Sequence, residues 1–282
     1  MTRRSAGCEI GARSLMRYLL ALLFFVLPAA ASACGPDTNC ALGDRHYRVA
    51  MPAGHDGVTK VPAIVFAHGY QGSAAGVMRN KSLRRLASDL GVALIAGKSV
   101  GPGWDLPNNP REMASTGEKE FAYFDAVIAD ASARFPIDTS RMMATGFSGG
   151  GMMVWNLICA RSGSFAGFAP MAGTFWLKPP ETCTGPVANV LHIHGDADRT
   201  VPLDGRVIGP TKQGEVSEAL AMYRAYGNFG ASSHVDSGRL RCEQSRNSAG
   251  QILEFCLFSG GHSFRTEYVR YAWDRFVAEG AL

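Results

Sequence analysis

Nucleophilic catalysis by a serine needs a hydroxyl to attack, an imidazole to take its proton, and a carboxylate to hold that imidazole. The chain has a residue of each kind in a suitable setting. Gly146-Phe147-Ser148-Gly149-Gly150 matches G-x-S-x-G, the pattern of a serine lifted on a tight strand-to-helix turn. Downstream, Val190 to Pro202 reads VLHIHGDADRTVP and carries Asp196 and Asp198, with Asp204 close behind. Later, Ser259-Gly260-Gly261-His262 puts a histidine in a glycine-flanked loop. The oxyanion of such a reaction needs two N–H donors. The Gly149 amide is one, and the stretch Phe66-Ala67-His68-Gly69-Tyr70 offers the Tyr70 amide, with Gln71 next in line.

The chain also contains a rival match, Gly97-Lys98-Ser99-Val100-Gly101. Glycine makes up 33 of its 282 residues, and at a typical serine content that predicts roughly one chance match in every four such chains. Context separates the two. MMAT before Ser148 suits a strand and MMVWNLICA after it suits a helix, whose N-terminus favours negative charge. Ser99 is followed by Val100-Gly101-Pro102-Gly103, in which no helix can start directly, so Ser99 reads as loop. His68 reads as a loop-fixing residue, and His234 as an exposed loop residue. His192 and His194 alternate along a buried strand and point the same way. Without further ligands at matching spacing they read as satisfied core or strand-end residues rather than a metal site. Spacing alone leaves Asp196 and Asp198 both open as the acid.

The elements that must carry these residues alternate. Strands are expected over His46–Met51 (an edge), Pro62–Ala67, Val92–Ala96, Met142–Thr145, Phe165–Met171 and Val190–His194. Helices are expected over Met78–Leu90, Glu118–Phe135, Gly149–Arg161, Glu215–Phe229 and Thr266–Glu279. Arg239–Asn247 and Gln251–Phe258 read as a hairpin around Ser248-Ala249-Gly250. Such alternation predicts an α/β fold with a mostly parallel sheet covered on both faces. The order serine, acid, histidine is that of α/β-hydrolases.

Residues 1–33 read as a secretory signal: Arg3, Arg4, Arg13 and Arg17, an apolar run from Tyr18 to Leu27, then Ala31-Ser32-Ala33. Met16 is an alternative start, and Cys34 after the cleavage point raises a lipoprotein as a minor alternative. The remaining residues 34–282 read as one catalytic domain, exported to the periplasm or beyond, with no stable membrane span. Removing four arginines and Glu9 lowers the formal charge from +4 to about +1, which leaves no basic stripe for nucleic acid. Six cysteines remain, an even number that suits disulfides in an exported chain. By neighbourhood they pair as Cys34 with Cys40, Cys159 with Cys183, and Cys242 with Cys256. In a hairpin centred on Ala249 the last two fall opposite each other.

Taken together, PAIVFAHGYQGSA, EFAYFDAVIADASARFPIDTSRMMATGFSGGGMM, FAGFAPMAGT, HIHGDADRTVP and the late GGH resemble secreted α/β-hydrolases of the polyhydroxybutyrate depolymerase and feruloyl esterase type. The resemblance implies an ester hydrolase that works through an acyl-enzyme and needs no metal or organic cofactor. The group's pattern H-G-x-x-D-x-x-V-P fits His194 to Pro202 and implies Asp198 as the acid. Its cysteine placement supports the Cys159–Cys183 pair, and its cleft tryptophan falls at Trp104. The loop after His262 departs from the group, reading Ser263-Phe264-Arg265 where tryptophan and proline are common. With no appended substrate-binding domain in view, a soluble ester or short oligomer is the expected substrate. A serine peptidase or acyltransferase on the same fold is the alternative reading, and a non-catalytic binding protein is the rival from another class.

Overall fold

Burying the apolar runs while pairing their backbone groups produces a sheet with helices on both faces. The computed structural model describes residues 1–2 and 34–282, so residues 3–33 of the leader expected over 1–33 lie outside the described residues. Its strands are β1 (Cys40–Leu42), β2 (Arg45–Ala50), β3 (Val61–Ala67), β4 (Ala93–Ala96), β5 (Ile137–Phe147), β6 (Gly167–Met171), β7 (Asn189–Gly195), β8 (Arg206–Ile208), β9 (Thr211–Gln213), β10 (Ser233–Ser237), β11 (Leu240–Arg246) and β12 (Ile252–Phe258). Its helices are α1 (Ala74–Arg79), α2 (Lys81–Asp89), α3 (Glu118–Arg134), α4 (Gly149–Ala160), α5 (Val216–Tyr226) and α6 (Thr266–Ala278).

Among the described residues, ten strands form one sheet in the order β1-β2-β4-β3-β5-β6-β7-β12-β11-β10, and β8 with β9 form a separate hairpin. The run from β4 to β12 is parallel throughout, with antiparallel strands added at both ends. Alternation along the strands divides the core. Ala63, Val65 and Ala67 face one cluster with α3, α4 and α5, while Ile64 and Phe66 face another with α1, α2 and α6. Helix α4 is buried from Gly150 to Cys159, a helix apolar all round and enclosed by the sheet and its neighbours.

Several expectations are corrected. The helix expected over Met78–Leu90 is two helices, because Asn80 adopts an extended backbone. Its side chain accepts from the Leu83 amide and starts α2 as an N-cap. Strand β2 is not an edge, since β1 pairs outside it. Strand β5 begins at Ile137, and β6 begins at Gly167 after a short 3-10 turn at Ser162–Ser164. His234 is exposed as expected, but it lies on the edge strand β10 rather than in a loop.

The structure joins Cys34 to Cys40, Cys159 to Cys183, and Cys242 to Cys256. Cys242 and Cys256 are register partners in the β11–β12 ladder. The Cys34 sulfur is committed to its partner, which leaves no thiol there for a lipid. Beside Cys256, Glu254 is fully buried. Gln244 Nε2 donates to it at 2.8 Å, the Tyr271 hydroxyl donates to it, and Arg275 Nε pairs with it at 3.1 Å. Burial and the bond to Glu254 push the Tyr271 hydroxyl up to about 12. Removing the countercharge should therefore hurt more than removing both charges. Arg275→Met is expected to lower the urea unfolding free energy by about 3 kcal/mol, and adding Glu254→Gln to recover most of that loss.

Candidate active site

Strand β5 runs straight into Ser148 and α4 starts at the next residue, so the serine stands at the C-terminal end of a central strand. Its backbone is forced into φ 60°, ψ −123°, a strained conformation for a residue with a side chain. The Ser148 amide donates to the Met171 carbonyl at 2.9 Å, tying the turn to β6. Gly150 is required here. A Cβ on it would lie 1.9 Å from the Ala67 carbonyl oxygen, so only glycine lets α4 approach the end of β3.

The carboxylate and the imidazole meet across the ends of β7 and β12. His262 Nδ1 lies 2.6 Å from Asp198 Oδ2, and the other Asp198 oxygen accepts from the Thr200 and Val201 amides at 2.8 and 2.9 Å. Burial works to raise the Asp198 carboxyl. The nearby His194 N–H and hydrogen bonds from His262, Val201 and Thr200 outweigh it and hold the group well below the usual carboxylate range. The His262 ring stacks against Phe147, the residue before Ser148, with ring centroids 4.5 Å apart. Asp196 does something else: it accepts from the Gly260 amide at 3.0 Å and pairs with Arg241 at 2.8 Å, bracing the loop that carries His262. Asp204 is exposed.

Behind Asp198 lies a buried polar chain whose direction can be derived. Trp155 Nε1 can only donate, and it reaches His192 Nδ1 at 3.0 Å. Burial and the neighbouring His194 keep His192 neutral, so its proton is on Nε2, 2.9 Å from His194 Nδ1. His194 then carries its proton on Nε2. It donates to the Val201 carbonyl at 2.8 Å and stands 3.5 Å from Asp198 Oδ2. The two histidines are satisfied core residues that end against the carboxylate.

The loop after β3 is held by the other G-x-S-x-G segment. His68 Nδ1 donates to the Gly69 carbonyl at 2.7 Å, which leaves Nε2 to accept from the Ser99 amide at 3.2 Å. The Ser99 hydroxyl donates to the Gly101 carbonyl at 2.8 Å and accepts from Lys98 Nζ at 3.1 Å. Ser99 is thus a buried loop residue. The Gln71 amide is committed to the Pro102 carbonyl. The Tyr70 amide nitrogen lies 3.3 Å from where a Gly149 Cβ would stand, and Tyr70, Ser148 and Gly149 border one space.

That space opens into a cleft of about 370 Å³ lined by Ser148, Tyr70, Trp104, Leu106, Met152 and Trp176, among others. Trp104 does line it, but the ring is only 4% exposed and its N–H is spent on the His68 carbonyl at 2.8 Å. Its main contact is as a wall behind the Tyr70 loop. Sequence reasoning missed Trp176 and the β8–β9 hairpin, which joins the cleft through a bridge between Trp176 and Gln213. Their segments are short and carry no periodicity.

Burial lowers the His68 imidazole to about 4, with Lys98 and Arg45 adding to the effect against the bond to Gly69. In the unfolded chain it takes a proton near pH 6.5. Between those values the unfolded chain binds a proton that the folded chain refuses, so stability is complete above about 6.5 and falls as pH drops. His192 acts with the same sign. The urea unfolding free energy is expected to fall between pH 7 and pH 5 by up to about 1.4 kcal/mol per pH unit for each such histidine. His68→Gln should flatten that slope.

No family profile matches the chain. Curated relatives include "Putative esterase NocK" of Nocardia uniformis subsp. tsuyamanensis, 34% identical over 150 residues. That match covers 53% of the chain but only 43% of the relative's length. "Probable feruloyl esterase C" of Aspergillus terreus is 25% identical over 260 residues and covers 89% of the chain and 90% of the relative. Among solved structures, the acetyl xylan esterase from Aspergillus awamori superposes with a TM-score of 0.60 at 13% identity, covering 86% of the chain and 96% of the esterase. An S-formylglutathione hydrolase from Agrobacterium tumefaciens gives 0.52 at 15% identity over 84% and 89%. The chain thus shares the α/β-hydrolase fold of solved esterases and is similar in sequence to proteins named as esterases.

Proposed function

We propose that the chain is an exported serine carboxylic ester hydrolase in which Ser148 attacks, His262 transfers the proton and Asp198 orients His262. The observation that carries this reading is the 2.6 Å contact between Asp198 and His262 Nδ1, with the His262 ring 4.5 Å from that of Phe147, the residue before the strained Ser148. With its Nδ1 proton donated to Asp198, the His262 imidazole has a basic Nε2 for the serine proton. Ser148 Oγ adds to the ester carbonyl, and the Tyr70 and Gly149 amides receive the oxyanion. Collapse expels the alcohol with a proton from His262. Water, deprotonated by His262, then adds to the acyl-enzyme and releases the acid and Ser148. No step calls for a cofactor. Export is supported by the leader-like residues 1–33 and by three disulfides.

Feruloyl esters, hydroxyalkanoate oligomers and other small esters are the substrates to test against peptide amides. The first is suggested by the names of relatives and the second by the sequence resemblance. A fluorophosphonate probe is expected to label the wild type and not Ser148→Ala. Equal labelling of that variant would remove Ser148 from the nucleophile's role. On 4-nitrophenyl esters, Asp198→Asn should lower kcat by roughly 10³–10⁴-fold, through loss of the orienting carboxylate. Asp196→Asn should cost little, since its amide oxygen can still accept from Gly260. Equal losses in the two variants would reverse the choice of acid.

A further inference from the structure

Two exposed guanidinium groups border the cleft, and among the described residues neither makes an ion pair. Arg111 and Arg206 both line the cavity that holds Ser148, and no aspartate or glutamate does. Arg111 Nη2 donates to the Gly103 and Trp104 carbonyls at 2.8 and 3.2 Å, contacts that fix its position without neutralising it. Arg206 Nε donates at 3.0 Å to Gln213 Oε1, again a neutral partner. Among the described residues neither has a carboxylate within ion-pair distance, whereas Arg45, Arg161 and Arg241 each pair with one within 2.8 Å.

The placement is built into the fold. Arg206 and Gln213 are register partners in the β8–β9 hairpin, and Gln213 is bridged to Trp176 in the cleft wall. The hydrogen bond between them aims the guanidinium across that wall. On the other side, Arg111 lies beside Gly101 and Gly103, against which the ring of the 62% exposed Tyr70 also packs. The same cleft is lined by the apolar side chains of Trp104, Leu106 and Met152, which we take as its floor. An uncharged ester would fill that floor and leave both cations to water. A carbon chain ending in a carboxylate would use floor and wall together, because guanidinium presents its donors in a fork that fits a carboxylate.

We propose that the substrate is an anionic ester, one that bears a free carboxylate on a chain attached to the scissile group, and that Arg111 and Arg206 are its specificity-determining residues. The inference rests on the ester-hydrolase reading above and narrows its substrate class.

The test compares 4-nitrophenyl pentanoate with mono-4-nitrophenyl glutarate, which has an acyl chain of equal carbon number that ends in a carboxylate. The wild type is expected to favour the glutarate by roughly ten-fold in kcat/KM, with the gain in KM and declining as salt is added. Arg206→Gln and Arg111→Gln should each reduce the glutarate-to-pentanoate ratio several-fold, and Arg206→Lys should retain part of it. The wild-type comparison involves no substitution, and among the described residues the Arg206 side chain bonds within its own hairpin. A ratio of one or less in the wild type overturns the proposal, as does a wild-type preference that neither arginine variant moves. Both results leave the esterase reading intact. Failure to turn over either ester, together with failure of the fluorophosphonate to label Ser148, overturns that reading itself.

Discussion

The close approach of α4 to the end of β3 is the constraint on which the site depends. At Gly150 the two backbones leave no room for even a methyl group. That contact sets the start of α4 close to the Tyr70 loop, where a Gly149 Cβ would stand 3.3 Å from the Tyr70 amide nitrogen. It also obliges the chain to turn sharply at Ser148, whose positive φ is the local cost of the arrangement. The surrounding structure can impose that cost because α4 is buried along almost its whole length. A serine hydroxyl, two amides and a helix N-terminus are thereby brought together by packing.

Polar groups under the site are satisfied in ordered chains, which the low-dielectric interior demands. The Trp155–His192–His194 chain has one consistent direction, set by a tryptophan that can only donate. It ends at the loop that holds Asp198. His68 and Ser99 do similar work beneath the oxyanion loop. Such networks resist change because losing one member leaves another buried and unpaired. They let a carboxylate with little access to water remain charged next to His262. Asp196 completes the support from the opposite side, by holding the loop rather than the ring.

The cleft differs from the core beneath it in one respect. Its floor is aromatic and aliphatic like the core, yet its walls carry two unneutralised cations. The β8–β9 hairpin that brings one of them lies outside the main sheet, in the connection between the acid's loop and α5. Loops at the C-terminal ends of parallel strands carry the chemistry, and insertions between them set what can bind. Here the ends of the main sheet carry Ser148, Asp198 and His262, while the separate β8–β9 hairpin contributes to the wall.

Much was legible in the sequence because it is local. A strand before Ser148 and a helix after it can be read from MMATGFSGGGMMVW, and periodicity located α3, α5, α6 and most of the parallel strands. The β11–β12 hairpin and its Cys242–Cys256 register follow from a two-fold alternation about one turn. What could not be read depends on contacts between distant segments. Asn80 divides a helix because its side chain caps the next turn, a choice that apolar spacing does not reveal. Spacing alone leaves Asp196 and Asp198 equivalent, the family resemblance points to Asp198, and the fold places Asp198 against His262 and Asp196 against Gly260 and Arg241. Ser99 and Ser148 share a pattern that the residues around them already separate, and the fold adds that one is buried against His68 while the other stands at the cleft. Local propensity and pattern determined the elements and the residue types available. Tertiary structure alone decided which side chains touch, because a hydrogen bond depends on distance and direction in space and not on separation along the chain.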